Sequence, residues 1–451
     1  MPDVRPRDLI PVDKSRDIRF LTILSSLGRG GTERAAVNYA LGYRRAGFPS
    51  AVYAYGTGGV RVAQLQAEDI PVFLGSEDPA IAARALAEAK AWSPDILHLN
   101  RPGIADARSS AAVHALTHPR LRVFETNVFA YVDPSPDRVM IDLHLHLSRW
   151  CLWKWTQSAK DVSPRSPAVV VPYSVDASSF NPPTAEQKAA NREAFGIPSD
   201  AFVFGRIGQP LVSKWSEDLI SAFETVAKSE SRAWLAVCGL PAALRAMVAK
   251  LPAGIRSRVV ELPVTDSDMQ LHRYYSVVDV FAHISQKGES FGMVLCEAML
   301  SGIPVITMST PLRDNSQIEV VPNGKAGIVV QNLQQLTKAM IDIQKDETAM
   351  QTMRNQARQA VTNRFDVPVV SRLLVKLATI ALASNSNQDL VRCLSEDSEV
   401  VSSAPASLYK DLLRSAGLQP SLSERILTPL VNQPISRHAI DFARAVQSRL
   451  R

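Results

Sequence analysis

The chain has 451 residues, 46% of them hydrophobic and 21% charged, which excludes wholesale disorder and gives length for two large or about three ordinary domains. Gly 21 and Pro 29 are too few for a collagen-like or low-complexity chain. The net charge of +6 suits a phosphate-rich ligand, an anionic membrane surface or nucleic acid, and is equally common in proteins that bind none of these.

No run of about 18 apolar residues occurs, so no transmembrane helix is expected. The opening MPDVRPRDLIPVDKSRD lacks the apolar core of a signal peptide. Cys151, Cys238, Cys296 and Cys393 form no CxxC pair, so neither a zinc knuckle nor a disulfide framework is suggested. A reducing cytoplasm fits that usage.

In chain order, Ile18 to Ser26 reads as a strand, followed by the turn LGRGG and a helix from Thr32 to Ala46. Short apolar runs at 51–55, 95–99, 121–125, 140–147 and 168–171 read as further strands, most of them separated by helical stretches. Such alternation predicts α/β architecture with a parallel sheet covered on both faces. Near Phe180 the rhythm breaks into NPPTAEQKAANREAFGIPSD, a polar, Pro-bearing linker with one helix. A second alternating series starts at Ala201, with strands near 234–238, 259–262, 278–283, 304–308 and 326–330.

The expected organisation is a Rossmann-like domain over 1–180, a second over 181–366, a long apolar helix over 367–384 and a helical extension over 385–451. Ligands of doubly wound sheets sit at the carboxyl ends of the strands, so two facing domains would place one ligand in the cleft between them. The last amphipathic stretch, Ser436 to Leu450, carries Ile440, Ala443, Val446 and Leu450 at helical spacing, and the tail reads as an appendage docking on the body or on a partner.

Three stretches carry chemistry. In ESFGMVLCE, Glu289 follows a strand and Phe291 to Leu300 looks helical, which would put Glu297 about two turns in from Glu289. Ser290, Phe291, Gly292 and Met293 then lie at the helix start, where free N–H groups suit a phosphate or sugar hydroxyl, and Gly292 allows close approach. Two carboxylates there can accept hydrogen bonds from paired hydroxyls. The spacing is as compatible with solvated or capping Glu residues.

In RIGQPLVSK, just after the first strand of the second domain, Arg206 and Lys214 form a cation pair on a strand-to-helix loop that could hold a diphosphate, the first as a fork and the second as a point charge. Ordinary surface charge is the alternative. In LGRGGTER, Gly30 and Gly31 precede a helix and could offer N–H groups to a phosphate. The spacing is neither GxGxxG nor a P-loop, and a plain tight turn fits as well.

Together these stretches resemble the retaining glycosyltransferases of the GT-B fold, specifically glycosyltransferase family 4. The E-x7-E signature matches Glu289 to Glu297, the strand ending in Gly-Arg with a following Lys matches Gly205, Arg206 and Lys214, and the GGxER turn matches Gly30, Gly31, Glu33 and Arg34. PYSVD (Pro172 to Asp176) with Phe180 echoes the loop ahead of the second domain. The four agree in order and spacing over about residues 18 to 365. Three departures stand out. The Arg206–Lys214 interval is slightly long, Asn127 in FETNVFAY stands where many members have an acceptor-side His, and the loop Ser309 to Glu319 is longer than the family's equivalent.

The resemblance implies two doubly wound domains across a cleft and transfer of a hexose, with retention, from a UDP- or GDP-sugar to a saccharide or lipid-linked saccharide. That would be an activity of polysaccharide biosynthesis needing no cofactor. It gives Glu289 the donor sugar, Glu297 the ribose, and Arg206 and Lys214 the leaving diphosphate; Gly30, Gly31 and Ser290 to Met293 would line the donor, and Asn127 the acceptor side. A sugar-nucleotide epimerase of the same fold and a non-catalytic nucleotide- or carbohydrate-binding assembly protein are the rival readings. Nucleic acid is not expected, since the basic residues are dispersed.

No metal is expected either. The triplet Asp266-Ser267-Asp268 would bind a divalent ion in another glycosyltransferase fold, but here it precedes a helical run and reads as a cap. His144 and His146 share one strand face, with no acidic partner evident in sequence. RWCLWKW (Arg149 to Trp155) reads either as a core helix with outward cations or as a membrane-interface belt, the latter implying peripheral contact with an anionic inner membrane face.

Overall fold

The computed structural model describes residues 18–159, 166–265, 267–310, 313–405 and 407–420. The N-terminal segment read as no signal peptide, Asp266, and the predicted helix Ser436 to Leu450 lie outside the described residues. The chain divides into two compact units. One takes in the residues up to Val175 and returns with Phe365–Leu408; the other holds Asp176–Arg364 and resumes at Tyr409.

The first unit is built on seven strands: β1 (Phe20–Ser26), β2 (Ser50–Thr57), β3 (Val72–Leu74), β4 (Ile96–Arg101), β5 (Arg122–Asn127), β6 (Leu143–His146) and β7 (Ala168–Val170). They pair in the order β3-β2-β1-β4-β5-β6-β7, every pair parallel. The order reverses between β1 and β4, the switch point where doubly wound sheets bind ligands. β1 reads as a near-continuous apolar run, broken only by Thr22 before its two closing serines, because both its faces are covered, and Phe20 to Leu24 are buried.

Two details differ from the sequence reading. β3 is an edge strand of three residues after Pro71, too short to show a period. The predicted strand Met140 to Leu147 shrinks to β6, because Pro136–Met140 is a 3-10 helix.

The second unit carries β8 (Phe202–Ile207), β9 (Ala233–Cys238), β10 (Val259–Leu262), β11 (Val280–His283), β12 (Val305–Met308) and β13 (Gly327–Val330), ordered β10-β9-β8-β11-β12-β13 and all parallel. Its core joins Phe204, Leu235, Val280 and Ile306 from the strands to Leu219, Phe223 and Leu336 from the covering helices. Helix Ala185–Ala194 opens the unit with a capping box between Thr184 and Gln187.

The long apolar helix Val367–Ala383 starts where predicted, capped by Asp366. Val175 and Asp366 form a parallel bridge, which returns the chain to the first unit. There the helix meets Gly31–Arg45 so closely that a Cβ at Gly42 would lie 2.0 Å from Ser371 Oγ. The tail is docked. Helix Asn387–Glu396 buries Leu390 and Leu394, and Lys376 pairs with Asp397 and Glu399. In the second unit, Asn323 donates to the Ala416 carbonyl and Gln331 to that of Gln419. All four cysteines are free. No helix among the described residues is long and apolar enough to cross a membrane.

Candidate active site

The second unit assembles a charged cluster at the carboxyl ends of β8 and β11. β8 closes on Gly205 and Arg206. A Cβ at Gly205 would lie 2.3 Å from Val278, so only glycine lets the strand end pack there. Arg206 is 1% exposed. Its guanidinium donates to the carbonyls of Ile207 and Lys214 and stacks over Trp215, 4.8 Å from the ring centroid. Nε has no hydrogen-bond partner among the described residues. Burial lowers the Arg206 pKa to about 10 against the pull of Glu289, so the group stays charged at neutral pH.

These bonds fasten the turn Val212–Lys214 and aim Lys214 at the next strand end. Lys214 Nζ stands 2.8 Å from Glu289 Oε2, and His283 Nε2, at the end of β11, stands 3.2 Å from Glu289 Oε1. Glu289 is buried. Its backbone is held as well: its N–H donates to Gln317 Oε1 at 3.1 Å and its carbonyl accepts from the Ser316 N–H at 2.9 Å. Burial alone would raise the carboxyl pKa. The charge of Lys214 and the contact with His283 outweigh it and hold Glu289 well below the usual carboxylate range.

Gly292, at φ +93°, caps helix Met293–Leu300 with no side-chain hydrogen bond; the Leu295 N–H turns back to the Gly292 carbonyl at 3.0 Å, and the N–H groups of Met293 and Val294 ahead of it suit a ligand. The helix starts two residues later than the sequence suggested. Glu289 lies in the loop ahead of the helix, where the sequence reading also had it, and Glu297 stands about one turn past Met293, so the interval between the two is part loop and not two helical turns. The left-handed turn at Gly292 is the reason, since it breaks helical geometry ahead of Met293. Glu297, buried inside the helix, accepts from Tyr275 Oη at 2.9 Å. Phe291 and Met293 are buried, and Ser290 is half-buried.

In the first unit Gly30 precedes helix Gly31–Arg45 in extended geometry and supplies no side-chain cap. A Cβ at Gly30 would collide with the Glu33 carboxylate, 2.0 Å away, so the helix start carries its own acidic side chain. Asn127, at the end of β5, closes its loop, donating to the Tyr131 carbonyl at 2.7 Å and accepting from the Tyr131 N–H at 3.1 Å.

A second charged group, unforeseen in the sequence, sits beside Asn127. Glu125 accepts from Arg101 and from His144 Nδ1, the latter at 2.7 Å, and Arg101 reaches Asp133 at 3.3 Å. His144 thus has the acidic partner its sequence context did not reveal. Burial opposes ionisation of Glu125, but His144 and Arg101 lower its pKa to about 2. The register carries these contacts, because Glu125 pairs with His144 across β5–β6. The Trp residues of RWCLWKW are buried inside the unit, so this stretch forms core and not a membrane belt. Ser267 caps helix Asp268–Ser276. Among the described residues no group of His, Cys, Asp or Glu is placed to hold a metal ion.

Residues 187–360 match the family described as Glycosyl transferases group 1. A D-inositol 3-phosphate glycosyltransferase from Xylanimonas cellulosilytica is 32% identical over 141 residues, 30% of this chain and 34% of that protein. The chain thus spans about a third of the length of that curated relative. Among solved structures, a glycosyltransferase from Rickettsia africae aligns with a TM-score of 0.67 at 18% identity, covering 82% of this chain and all of the other. The Anabaena protein HepE in complex with UDP and glucose aligns at 0.64 with 19% identity, covering 80% and 98%. The fold is GT-B, with two doubly wound α/β units.

Proposed function

We propose that this chain, whose residues 187–360 match the group 1 glycosyl transferases, is a glycosyltransferase that moves a hexose from a nucleoside diphosphate sugar to a saccharide or lipid-linked saccharide, with retention of configuration and without a metal ion. The observation that carries the reading is the cluster of Arg206, Lys214 and Glu289, two cations and an ionised carboxylate at the strand ends of the matched segment. The HepE complexes with UDP and with UDP-glucose favour a uridine donor over a guanosine one.

As the glycosidic bond breaks, negative charge builds on the leaving diphosphate. Lys214 and the N–H groups at the start of helix Met293–Leu300 neutralise it, a preorganised electrostatic role. Arg206 contributes its charge and fixes the turn that carries Lys214. Glu289 accepts hydroxyls of the donor sugar and Glu297 the ribose diol. The acceptor attacks from the face the diphosphate leaves, and a diphosphate oxygen takes its proton. Catalysis then rests on positioning and charge.

The test is incubation with UDP- and GDP-sugars and a panel of saccharide and lipid-linked acceptors. Acceptor-dependent release of nucleoside diphosphate, surviving excess EDTA, with the anomeric configuration read by NMR, is the expected result. Nucleotide binding without transfer to any acceptor would favour a non-catalytic role, and epimerised donor would favour the epimerase.

A further inference from the structure

β11 runs Val280, Phe281, Ala282 and then His283. A histidine ending an apolar, buried strand costs free energy unless its ring nitrogens find polar partners. His283 is 2% exposed. Its ring lies along Phe281, centroids 6.1 Å apart, and Nδ1 has no hydrogen-bond partner among the described residues. Nε2 stands 3.2 Å from Glu289 Oε1, within ion-pair reach although not aligned as a formed hydrogen bond. Burial, then the charge of Arg206, lowers the imidazole pKa to about 4, so at neutral pH the ring carries a single N–H.

The two oxygens of Glu289 thus have unlike neighbours. Oε2 faces Lys214, whose side chain is 30% exposed on a short turn. Oε1 faces His283, fixed inside the sheet. Under the function proposed above, Lys214 is also the cation for the donor diphosphate, so its three N–H donors are shared between the carboxylate and the phosphate. When phosphate draws Lys214 away, His283 is the neighbour that stays.

We propose that His283 is a positioning residue for Glu289, holding the carboxylate oriented and ionised while Lys214 exchanges between Glu289 and the donor diphosphate. The charged and titratable groups carried by the surrounding elements are Arg206 of β8, Lys214 of the turn, Lys287 of the loop after β11, Asp314 of the loop after β12 and Tyr275 of helix Asp268–Ser276. Among the described residues Lys214 is the ion-pair partner of the Glu289 carboxylate, and the neutral His283 ring is its other side-chain neighbour at contact distance.

His283→Leu removes the N–H at similar volume, and His283→Asn restores a donor that does not titrate. In His283→Leu, turnover should fall about ten- to a hundredfold, the rate equivalent of one charge-assisted hydrogen bond, into which the loose contact tightens once donor is bound. Nucleotide affinity should change little, and the acid limb of the pH–rate profile should move to higher pH as Glu289 becomes easier to protonate. His283→Asn should recover most of the turnover and bring the limb back. Carboxyl 13C NMR of Glu289 in the full chain gives the same comparison without activity, with the carboxyl titrating at higher pH in His283→Leu than in wild type. An unmoved Glu289 titration overturns the inference, as does loss of turnover and nucleotide affinity in equal proportion or failure of Asn to rescue. A wild-type protein inactive with every donor would instead remove the proposed function, and the NMR titration would still decide the coupling of His283 to Glu289.

Discussion

Lys214 Nζ meets Glu289 Oε2 at 2.8 Å across a sequence separation of 75 residues. Neither residue reaches the other by its own local structure. Arg206 holds the carbonyl of Lys214 from within β8, and Gln317 and Ser316 hold the backbone of Glu289. The pair is therefore set by two separately anchored loops, a form of preorganisation that a charge-stabilised reaction needs.

Lys214→Ala should lower turnover on the order of 100-fold, the effect of losing one donor to a developing anion. It should leave the fold intact, because the lysine is part-exposed on a short turn. Steady-state kinetics with and without EDTA provide the check. Full activity in the variant, or loss of wild-type activity in EDTA with recovery in magnesium or manganese, would contradict the metal-free mechanism.

Glu289→Ala should depress kcat more than it weakens nucleotide binding, since a contact with the sugar counts most in the transition state. Calorimetric titration of UDP alongside kcat separates the two. Normal turnover in a folded variant would exclude the assigned role.

Glu297→Ala should weaken nucleotide binding by roughly 1.5 to 3 kcal/mol, the range for hydrogen bonds to a charged group. Tyr275→Phe, which removes the hydroxyl that Glu297 accepts from, should weaken it less, by about 1 kcal/mol. Unchanged affinity in both variants would remove Glu297 from the nucleotide site.

Acid should destabilise the fold from well above the carboxylate range. Burial lowers the pKa of His98 and His146 to about 3 and that of His283 to about 4. Each is depressed, so each contributes stability that is complete above the unfolded value near 6.5 and is lost as pH falls towards the folded value. Glu289 adds its own loss at lower pH, its folded pKa being depressed below the unfolded one. Denaturant midpoints should hold steady above about pH 6.5 and decline below it. A midpoint constant from neutrality to about pH 4 would contradict this.

Gly292→Ala should cost about 1 to 2 kcal/mol. The residue sits at φ +93°, where a side chain is strained, and its Cβ would lie 2.7 Å from Leu295 Cδ1. Thermal melting gives the stability change, and an unshifted melting temperature would show that the loop relaxes freely.

Much of this protein was legible in the residues alone. Apolar runs such as Phe20 to Leu24 fix buried strands, because a continuous hydrophobic stretch bounded by turns is satisfied only with both faces covered. The long, mostly apolar stretch Val367 to Ala383 likewise read as a helix. The resemblance carried by Glu289, Glu297, Arg206 and Lys214 marked the candidate site, because spacing alone fitted solvated or capping residues as well.

Tertiary structure decided the rest. β3 was invisible because three residues at a sheet edge carry no period. The helix start moved to Met293 because the left-handed turn at Gly292 is a backbone choice that the apolar pattern does not record. The Arg101–Glu125–His144 network escaped notice because its members lie on different strands, and His283 because the loop after β11 folds back to bring Glu289 to it. Parallel register, and not spacing along the chain, brings Glu125 beside His144. Local propensity operates within a few residues, whereas ion pairs in a doubly wound sheet form between residues that only strand order and burial make neighbours.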